Sequence, residues 1–375
     1  MNNLKILDYT KEKYMWKTVE YSKNQIDKAG QLIINETISS EERQKCLEII
    51  DNWRASHAFP MNTFTINLKD KTSKINGTIV VQRLKRLDTI LDKLKRMPNM
   101  QLSRMQDIGG CRVVLKTIEE VYSVRQAIIE SRIRHKLHNE KDYIKNPNPD
   151  TGYRGIHLIY KYKSDINDKY NGHFIEIQLR TRLQHLWATT VETVGMLTQN
   201  GLKFNQGEKD WLRFFELVSK IFEVKEMNVL KDVNSVKQYL KIHSELFDIM
   251  EKLEVVKKMY DFATASIIYN RVNTKSKRRL EKGYYLIQFN EKTWEVKISF
   301  YEKNEKAANR AIEDYMKVEA EKKTEINVVL VSAESMRKLK IAYPNYFADV
   351  KSFYNTLYDI LEEQNQICMN ILGEK

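Results

Sequence analysis

The sequence predicts an α/β protein followed by a small α+β unit. Two observations carry this expectation. Between residues 55 and 200, short apolar stretches of period two alternate with longer amphipathic ones, so strands and helices take turns along the chain. RVNTKSKRRLEKG (271–283) is then basic and poor in apolar residues, and beyond it the texture changes. The expected division is a helical segment at 1–55, an α/β domain at 56–200, a helical connector at 201–270 and a C-terminal α+β domain at 271–375.

Residues 1–55 read as helices, and His57–Asn76, with Phe59, Pro60 and turn residues, as a connector. A basic helix is expected from Thr78 to Arg96, stopped by Pro98. CRVVLK (111–116) is a strand and Ile118–Arg134 a helix. The segment 135–155 has two prolines, two glycines and little periodicity, so it reads as an exposed loop. GIHLIYKY (155–162) and HFIEIQLR (173–180) are strands, Thr181–Leu197 is helical, and so is Glu208–Tyr269. YYLIQF and WEVKISFY form a hairpin, followed by a helix in NEKAANRAIEDYMKVEAEKK, a strand in EINVVLV and two closing helices.

Composition narrows the function classes. Of 375 residues, 63 are Lys or Arg and 50 Asp or Glu, a net charge of +13 that favours an anionic partner such as nucleic acid or nucleotide phosphates. The three cysteines form no CxxC pair, which argues against a disulfide framework or a Cys-rich zinc site. No apolar run approaches membrane-spanning length, and the first residues lack the apolar core of a signal peptide. The expectation is a soluble cytoplasmic protein with no membrane partner.

Four constellations hold residues suited to chemistry. VVQRLKRLDTILDKLKR gathers Arg83, Lys85, Arg86, Lys93 and Arg96, either a solvated helix face or a grip for phosphates. In RMQDIGGCRVVL, Asp107 precedes two glycines that permit close backbone approach, and an acid at a strand entrance suits Mg²⁺. Arg112 follows among apolar neighbours and needs a partner, structural or otherwise. GYRGIH displays Tyr153 beside Arg154 and His157, suited to base stacking or to simple packing. In HFIEIQLRTRLQHLWA, Glu176, Gln178 and Arg180 form the polar face of a strand whose other face is apolar. Glu176 alone there has the chemistry of a general base or metal ligand, whereas His185 and Trp187 read equally well as packing.

Taken in order, RxK (Arg83, Lys85), DIGGxR (107–112), GYRGIH (152–157) and EIQLRTxxQHxWA (176–188) closely resemble the synthetase domain of the RelA/SpoT family over roughly residues 55–200. The resemblance implies a nucleotidyltransferase-like mixed sheet flanked by helices, and transfer of pyrophosphate from ATP to a ribose 3′-hydroxyl. It implies that Arg83 and Arg112 sandwich adenine, that Lys85 and Lys93 bind phosphates, and that Asp107 and Glu176 hold Mg²⁺. Glu176 would also activate the hydroxyl, Tyr153 would stack on the acceptor base, and His157, Gln178 and Arg180 would support the site. The family often carries a Pro-Lys pair shortly before the Gly-Tyr, whereas PNPDTGY offers Asn148 and Asp150, with Lys141 or Lys145 nearby to supply the charge.

Within that family, NWRASHAFPMNTF (52–64) and 176–192 look most like the toxic small synthetases, which modify the 3′ CCA end of tRNA and block translation. The alternative acceptor is GDP or GTP, as in small alarmone synthetases. The C-terminal YPNY places Tyr343 and Tyr346 in a YxxY arrangement. Such a tail resembles the autoinhibitory pseudo-zinc-finger of the CapRel type of fused toxin–antitoxin in phage defence. That resemblance implies that the tyrosines occupy the adenine site until a phage protein, a capsid protein by analogy, releases them.

Overall fold

The computed structural model describes residues 16–35, 37–201, 207–257, 282–290, 296–321, 326–343 and 350–373. Helices Lys23–Ile33 (α1) and Ser40–Ala55 (α2) each open on a capping box, Ser22 with Gln25 and Ser39 with Glu42. The expected connector after them is a helix, Ala58–Lys71 (α3). Pro60 lies in its first turn, where an N–H has no intrahelical partner to lose, and Met61, Phe64 and Leu68 recur at helical spacing in the core.

The basic stretch expected as one helix divides into a strand, Ile79–Leu84 (β1), and a helix, Leu87–Arg96 (α4). Ile79, Val80 and Val81 are β-branched and buried on successive, opposite faces, a demand that a helix with one apolar stripe does not meet. Gly109–Leu115 (β2) and Ile118–Ile129 (α5) follow as expected. Part of the expected loop at 135–155 is a strand, Lys136–Asp142 (β3). It is largely exposed, so no apolar alternation betrays it, and its charges protect a sheet edge. Ile156–Lys161 (β4) and Phe174–Thr181 (β5) are the anticipated strands. The helices Arg182–Gly201 (α6), Gly207–Met227 (α7) and Val233–Lys252 (α8) come next.

The C-terminal region supplies the expected hairpin, Gly283–Asn290 (β6) with Val296–Glu302 (β7), then Glu305–Ala320 (α9), Ile326–Ala333 (β8), Met336–Ala342 (α10) and Lys351–Leu372 (α11). These strands do not stand apart. One eight-stranded sheet runs β3-β4-β5-β2-β1-β8-β6-β7, with β2 and β5 parallel and the other neighbours antiparallel. The junction is β1 against β8, where Gln82 pairs with Ser332 and Arg83 with Val331.

Residues alternate between the two faces of this sheet. On one face, α3, α5 and α9 share a core that includes Phe64, Val121, Ile177, Ile312 and Tyr315. The other face is polar over β5 and apolar over β8 and β6, where Val331, Tyr285 and Ile287 pack with Leu339, Ala342 and Tyr343. The last helix, α11, crosses to α6, α7 and α8, its Phe353 and Leu357 joining Phe214, Phe222 and Tyr239. Among the described residues, no helix is long and apolar enough to cross a membrane.

Beneath β2 and β5 lies a cluster of Trp53, His57 and His173, with ring centroids 4.5–4.8 Å apart. Nδ1 of His57 donates to the Trp53 carbonyl at 2.8 Å, and Nδ1 of His173 to that of Tyr170 at 2.8 Å. Burial holds His57 well below the ordinary imidazole range, with the neighbouring His173 adding to it. Burial likewise pushes His173 down to about 4, against its bond to Tyr170 and with help from Lys23. Both rings are therefore neutral when folded, and unfolding below the free imidazole range takes up protons. Stability is complete above about pH 6.5 and falls with acid toward about pH 4, by about 1.4 kcal/mol per pH unit for each ring. Urea unfolding of the wild type between about pH 7 and pH 5 should show this loss, and His173→Phe should remove roughly half of the slope, leaving the share of His57. A wild type equally stable across that range contradicts the assignment.

Candidate functional site

The register of three strands assembles the site. Arg83 on β1 pairs with Gly110 on β2, which pairs with Glu176 on β5; one step along, Val81, Arg112 and Gln178 form the next row. All these residues share one sheet face. Gly110 has no side chain, so a gap opens between Arg83 and Glu176. That gap is a cavity of about 70 Å³, bordered by Arg83, Lys85, Asp107, Arg112, Glu176, Gln178 and Tyr343. The doublet of glycines divides its labour. A Cβ on Gly109 would meet Met61 at 2.9 Å, Ile175 at 3.0 Å and His57 at 3.2 Å, whereas one on Gly110 would meet only backbone oxygens at 3.8 and 3.9 Å. The first lets α3 approach the sheet, and the second forms the cavity floor.

Asp107 sits just before β2 and is gripped by two ammonium groups, Lys85 Nζ at 2.6 Å and Lys93 Nζ at 3.0 Å. Burial opposes its charge, but the two lysines outweigh burial and hold the carboxyl below its ordinary range. Arg96, on the same helix as Lys93, is exposed and outside the cavity lining. Glu176 accepts from His157 Nδ1 at 2.9 Å and from Gln178 Nε2 at 2.7 Å. Burial again opposes ionisation, yet His157, Gln178 and Lys85 bring Glu176 down to about 2. His157 is correspondingly raised: burial pushes it down, but Tyr153 and Glu176 lift it to about 9.

The polar row continues outward. Gln178 Oε1 accepts from Arg112 Nε and from Arg180 Nη2, both at 3.2 Å. Arg180 Nε donates to the Tyr153 hydroxyl at 3.0 Å, which also meets His157 Nε2 at 2.6 Å. Tyr153 thus stands behind the cavity, its ring under the Arg180 guanidinium at 5.0 Å and edge-on to Tyr143 and His157. It is half-buried here and not displayed on a free loop. Its neighbour Arg154 is buried and paired with Glu226 of α7 at 2.6 Å, tying the loop to the helical layer.

Positive charge accumulates on this face. Burial, with the charges of Arg180 and Arg83, lowers Arg112 to about 10. Glu192 of α6, which the sequence reading did not single out, is the counterweight: burial opposes its charge, and Arg83, Arg112 and Arg180 hold it ionised. One signal pointed to it, since Glu192 lies seven residues, close to two helical turns, beyond His185. Of the two residues read as possible packing, Trp187 is packing, donating to the Phe215 carbonyl at 2.7 Å. His185 is buried and meets the Ile341 carbonyl at 2.9 Å.

Tyr343 closes the cavity. It is 1% exposed, and the Arg112 guanidinium lies 5.8 Å from its ring centre. Arg112 Nη1 also donates to the Ala342 carbonyl at 3.5 Å. Tyr346 lies outside the described residues. Among the described residues, no group of three or more His, Cys, Asp or Glu converges as a metal centre. Asp107 and Glu176 are the two carboxylates on the cavity; burial and the neighbouring Glu176 raise Asp107, and Lys85 and Lys93 outweigh both.

Fold and site together define the class: an α/β protein with a cation-rich cavity for an anionic ligand on one face of its sheet. Residues 82–195 match the family described as the region found in RelA / SpoT proteins. GTP pyrophosphokinase YjbM of Bacillus subtilis is 30% identical over 112 residues, which are 29% of this chain and 52% of that protein. GTP pyrophosphokinase YwaC of the same organism is 29% identical over 112 residues, 28% of this chain and 52% of its own. An uncharacterized protein of Mycobacterium tuberculosis, Rv1366, is 29% identical over 131 residues, 34% of this chain and 43% of its own. The chain thus spans about half the length of the curated relatives it matches. Among solved structures, small alarmone synthetase 1 of Bacillus subtilis bound to pppGpp is 21% identical with a TM-score of 0.40, covering 47% of this chain and 93% of that one.

The two glycines should separate stability from ligand binding. Gly109→Ala is expected to cost about 1–3 kcal/mol in thermal or urea unfolding, because α3 must shift. Gly110→Ala should unfold like the wild type within about 0.5 kcal/mol while weakening nucleotide binding. Equal destabilisation by both would contradict this division.

Proposed function

We propose that this chain is an ATP-dependent pyrophosphokinase whose nucleotide cavity is plugged by its own Tyr343. The observation that carries the reading is the cavity itself: two carboxylates, one lysine and two arginines line it, Lys93 reaches Asp107 from outside the lining, and an aromatic ring is seated against Arg112. A ring beside a guanidinium mimics a nucleobase, since arginine planes stack on aromatic faces. The family match across 82–195 supports the same chemistry.

In the reaction, the oxygen of a ribose 3′-hydroxyl attacks the β-phosphorus of ATP. The bond from that phosphorus to the α–β bridging oxygen breaks, and AMP leaves. Such transfers have little covalent work for the protein, so positioning and charge neutralisation dominate. Arg83 and Arg112 hold the adenine, and Lys85 and Lys93 exchange Asp107 for phosphate oxygens. Asp107 and Glu176 would be the two oxygen donors for Mg²⁺, an ion that needs only one or two protein carboxylates beside phosphates and water. When bound, Mg²⁺ neutralises charge on the phosphates. Glu176, held low by protonated His157, is a weak base, so it orients the hydroxyl and takes its proton late. Gln178, Arg180 and Tyr153 keep that carboxylate and imidazole in place.

Two acceptor classes fit. The names of the matched relatives, GTP pyrophosphokinases, favour GDP or GTP. The net charge of +13 and the resemblance to toxic small synthetases favour the 3′ CCA end of tRNA, hence a block on translation. In the second case, release by a partner protein would fit phage defence, with a capsid protein as the expected trigger.

Labelling separates the two. Wild-type protein and Tyr343→Ala are incubated with γ-labelled ATP, Mg²⁺ and either bulk tRNA or GDP. Label appearing on GDP alone establishes the alarmone reading, and label on tRNA alone the toxin reading; label on neither with the released variant refutes pyrophosphate transfer. Truncating a buried aromatic removes about 3–5 kcal/mol, so Tyr343→Ala should shift the closed–open balance by about two to four orders of magnitude. Basal activity that does not rise in this variant, with folding intact by circular dichroism, excludes the plug.

A further inference from the structure

The segment that bears the phosphate-binding lysines has an unusual support. Helix α4 starts at Leu87 behind Arg86, whose side chain makes no cap. The first amide of the helix instead donates to Glu319 Oε1, 3.0 Å away on α9 of the C-terminal region. The other oxygen of Glu319 meets Arg54 Nη2 at 2.6 Å; that arginine side chain is 0% exposed and the carboxylate 7%. Arg54 in turn donates to the Lys85 carbonyl from Nε at 3.3 Å and from Nη2 at 3.0 Å. Arg86 Nη1 donates to Asn327 Oδ1 on the same C-terminal region at 2.8 Å. The turn from Lys85 to Leu87 is therefore held on both sides by one carboxylate, directly through the helix start and indirectly through Arg54.

We infer that Glu319 is a positioning residue of the cavity: from the C-terminal region it fixes the Lys85–Leu87 turn, so that Lys85 and Lys93 point together at one anionic group. The inference rests on the reading of those lysines as phosphate ligands. A carboxylate at a helix start both satisfies an orphan amide and faces the positive end of the helix dipole. A fully buried guanidinium needs a partner of opposite charge, and Glu319 ranks with Asp51, 2.9 Å from Arg54 Nη1, as its partner. The consequence concerns regulation. The C-terminal region that seats Tyr343 at the base end also builds the phosphate end, so activation must withdraw Tyr343 while α9 stays docked.

The test uses the full chain. Hydrogen–deuterium exchange without nucleotide is compared in the wild type, Glu319→Ala and the pair Arg54→Met with Glu319→Leu. The pair removes both buried charges at once and so protects folding. In both variants, amides of residues 87–90 should exchange about tenfold faster, while the β2 strand at 109–115 stays within about twofold. In a Tyr343→Ala background, each should weaken ATP binding about tenfold and leave adenosine binding within about twofold. Unchanged exchange at 87–90 in the folded pair overturns the inference, as does restoration of wild-type ATP affinity by the pair, which would make Glu319 a mere counter-ion. A Tyr343→Ala parent that binds neither ATP nor adenosine refutes the nucleotide reading, and the exchange result still decides on Glu319.

Discussion

A crowd of positive charge on one sheet face must be neutralised in every state of this molecule. Arg83, Arg112, Arg180 and Lys85 gather around the Gly110 gap with Lys93 close behind, and burial together with the charges of Arg180 and Arg83 lowers even a guanidinium, Arg112, to about 10. In the structure described, the neutralising charges are internal: Asp107 for the lysines, Glu192 for the arginines, Glu176 for His157. Every one of those carboxylates is pulled below its ordinary range by the cations it serves. A polyphosphate brings its own negative charge to the same cations, so its entry is an exchange of counter-ions more than a filling of empty space.

The same face explains why the tail fits. Its cationic half lies over β2 and β5, and its apolar half over β8 and β6. Tyr343 spans the boundary, packing with Leu339 and Ala342 on one side and meeting Arg112 on the other. The residue matches its position by being amphipathic: a leucine there would leave the guanidinium without its aromatic face, and a lysine would add to the repulsion.

How much of this was legible in the sequence follows from burial. HFIEIQLR shows its period because one face is apolar and the other polar, and the strand lies where the pattern puts it. VVQRLK hid its strand, since both faces of Ile79–Val81 are buried and the basic residues after it imitate a helix face. The strand at Lys136–Asp142 hid for the opposite reason, both faces being open to solvent. For the site, six residues singled out by the ordered motifs, Arg83, Lys85, Asp107, Arg112, Glu176 and Gln178, line one cavity. The motifs did not single out Glu192, which lies past the last motif residue on α6, or Glu319, which acts from α9, a helix distant in sequence. Tyr153 shows the limit of residue type: an aromatic in a glycine-flanked loop reads as displayed, but Arg180 and His157 both hold its hydroxyl and draw it inward.

The basic stretch at 271–283 reads as a boundary and lies mostly outside the described residues; beyond it, β8 continues the sheet from β1, and Arg83 pairs with Val331. This changes what regulation has to be. A lid on a hinge could swing away whole; here β8 pairs with the strand that carries Arg83 and in turn carries β6 and β7, and α11 is packed into the core of α7 and α8. Between those two anchors lies Tyr343, buried with Leu339 and Ala342 against β8 and β6 and facing Arg112, while the Ala342 and Ile341 carbonyls meet Arg112 and His185. The anchors are a β-ladder and an apolar core, and Tyr343 lies where the apolar half of the face meets the cation-rich cavity. On the proposed reading, opening withdraws Tyr343 from Arg112 and keeps both anchors in place.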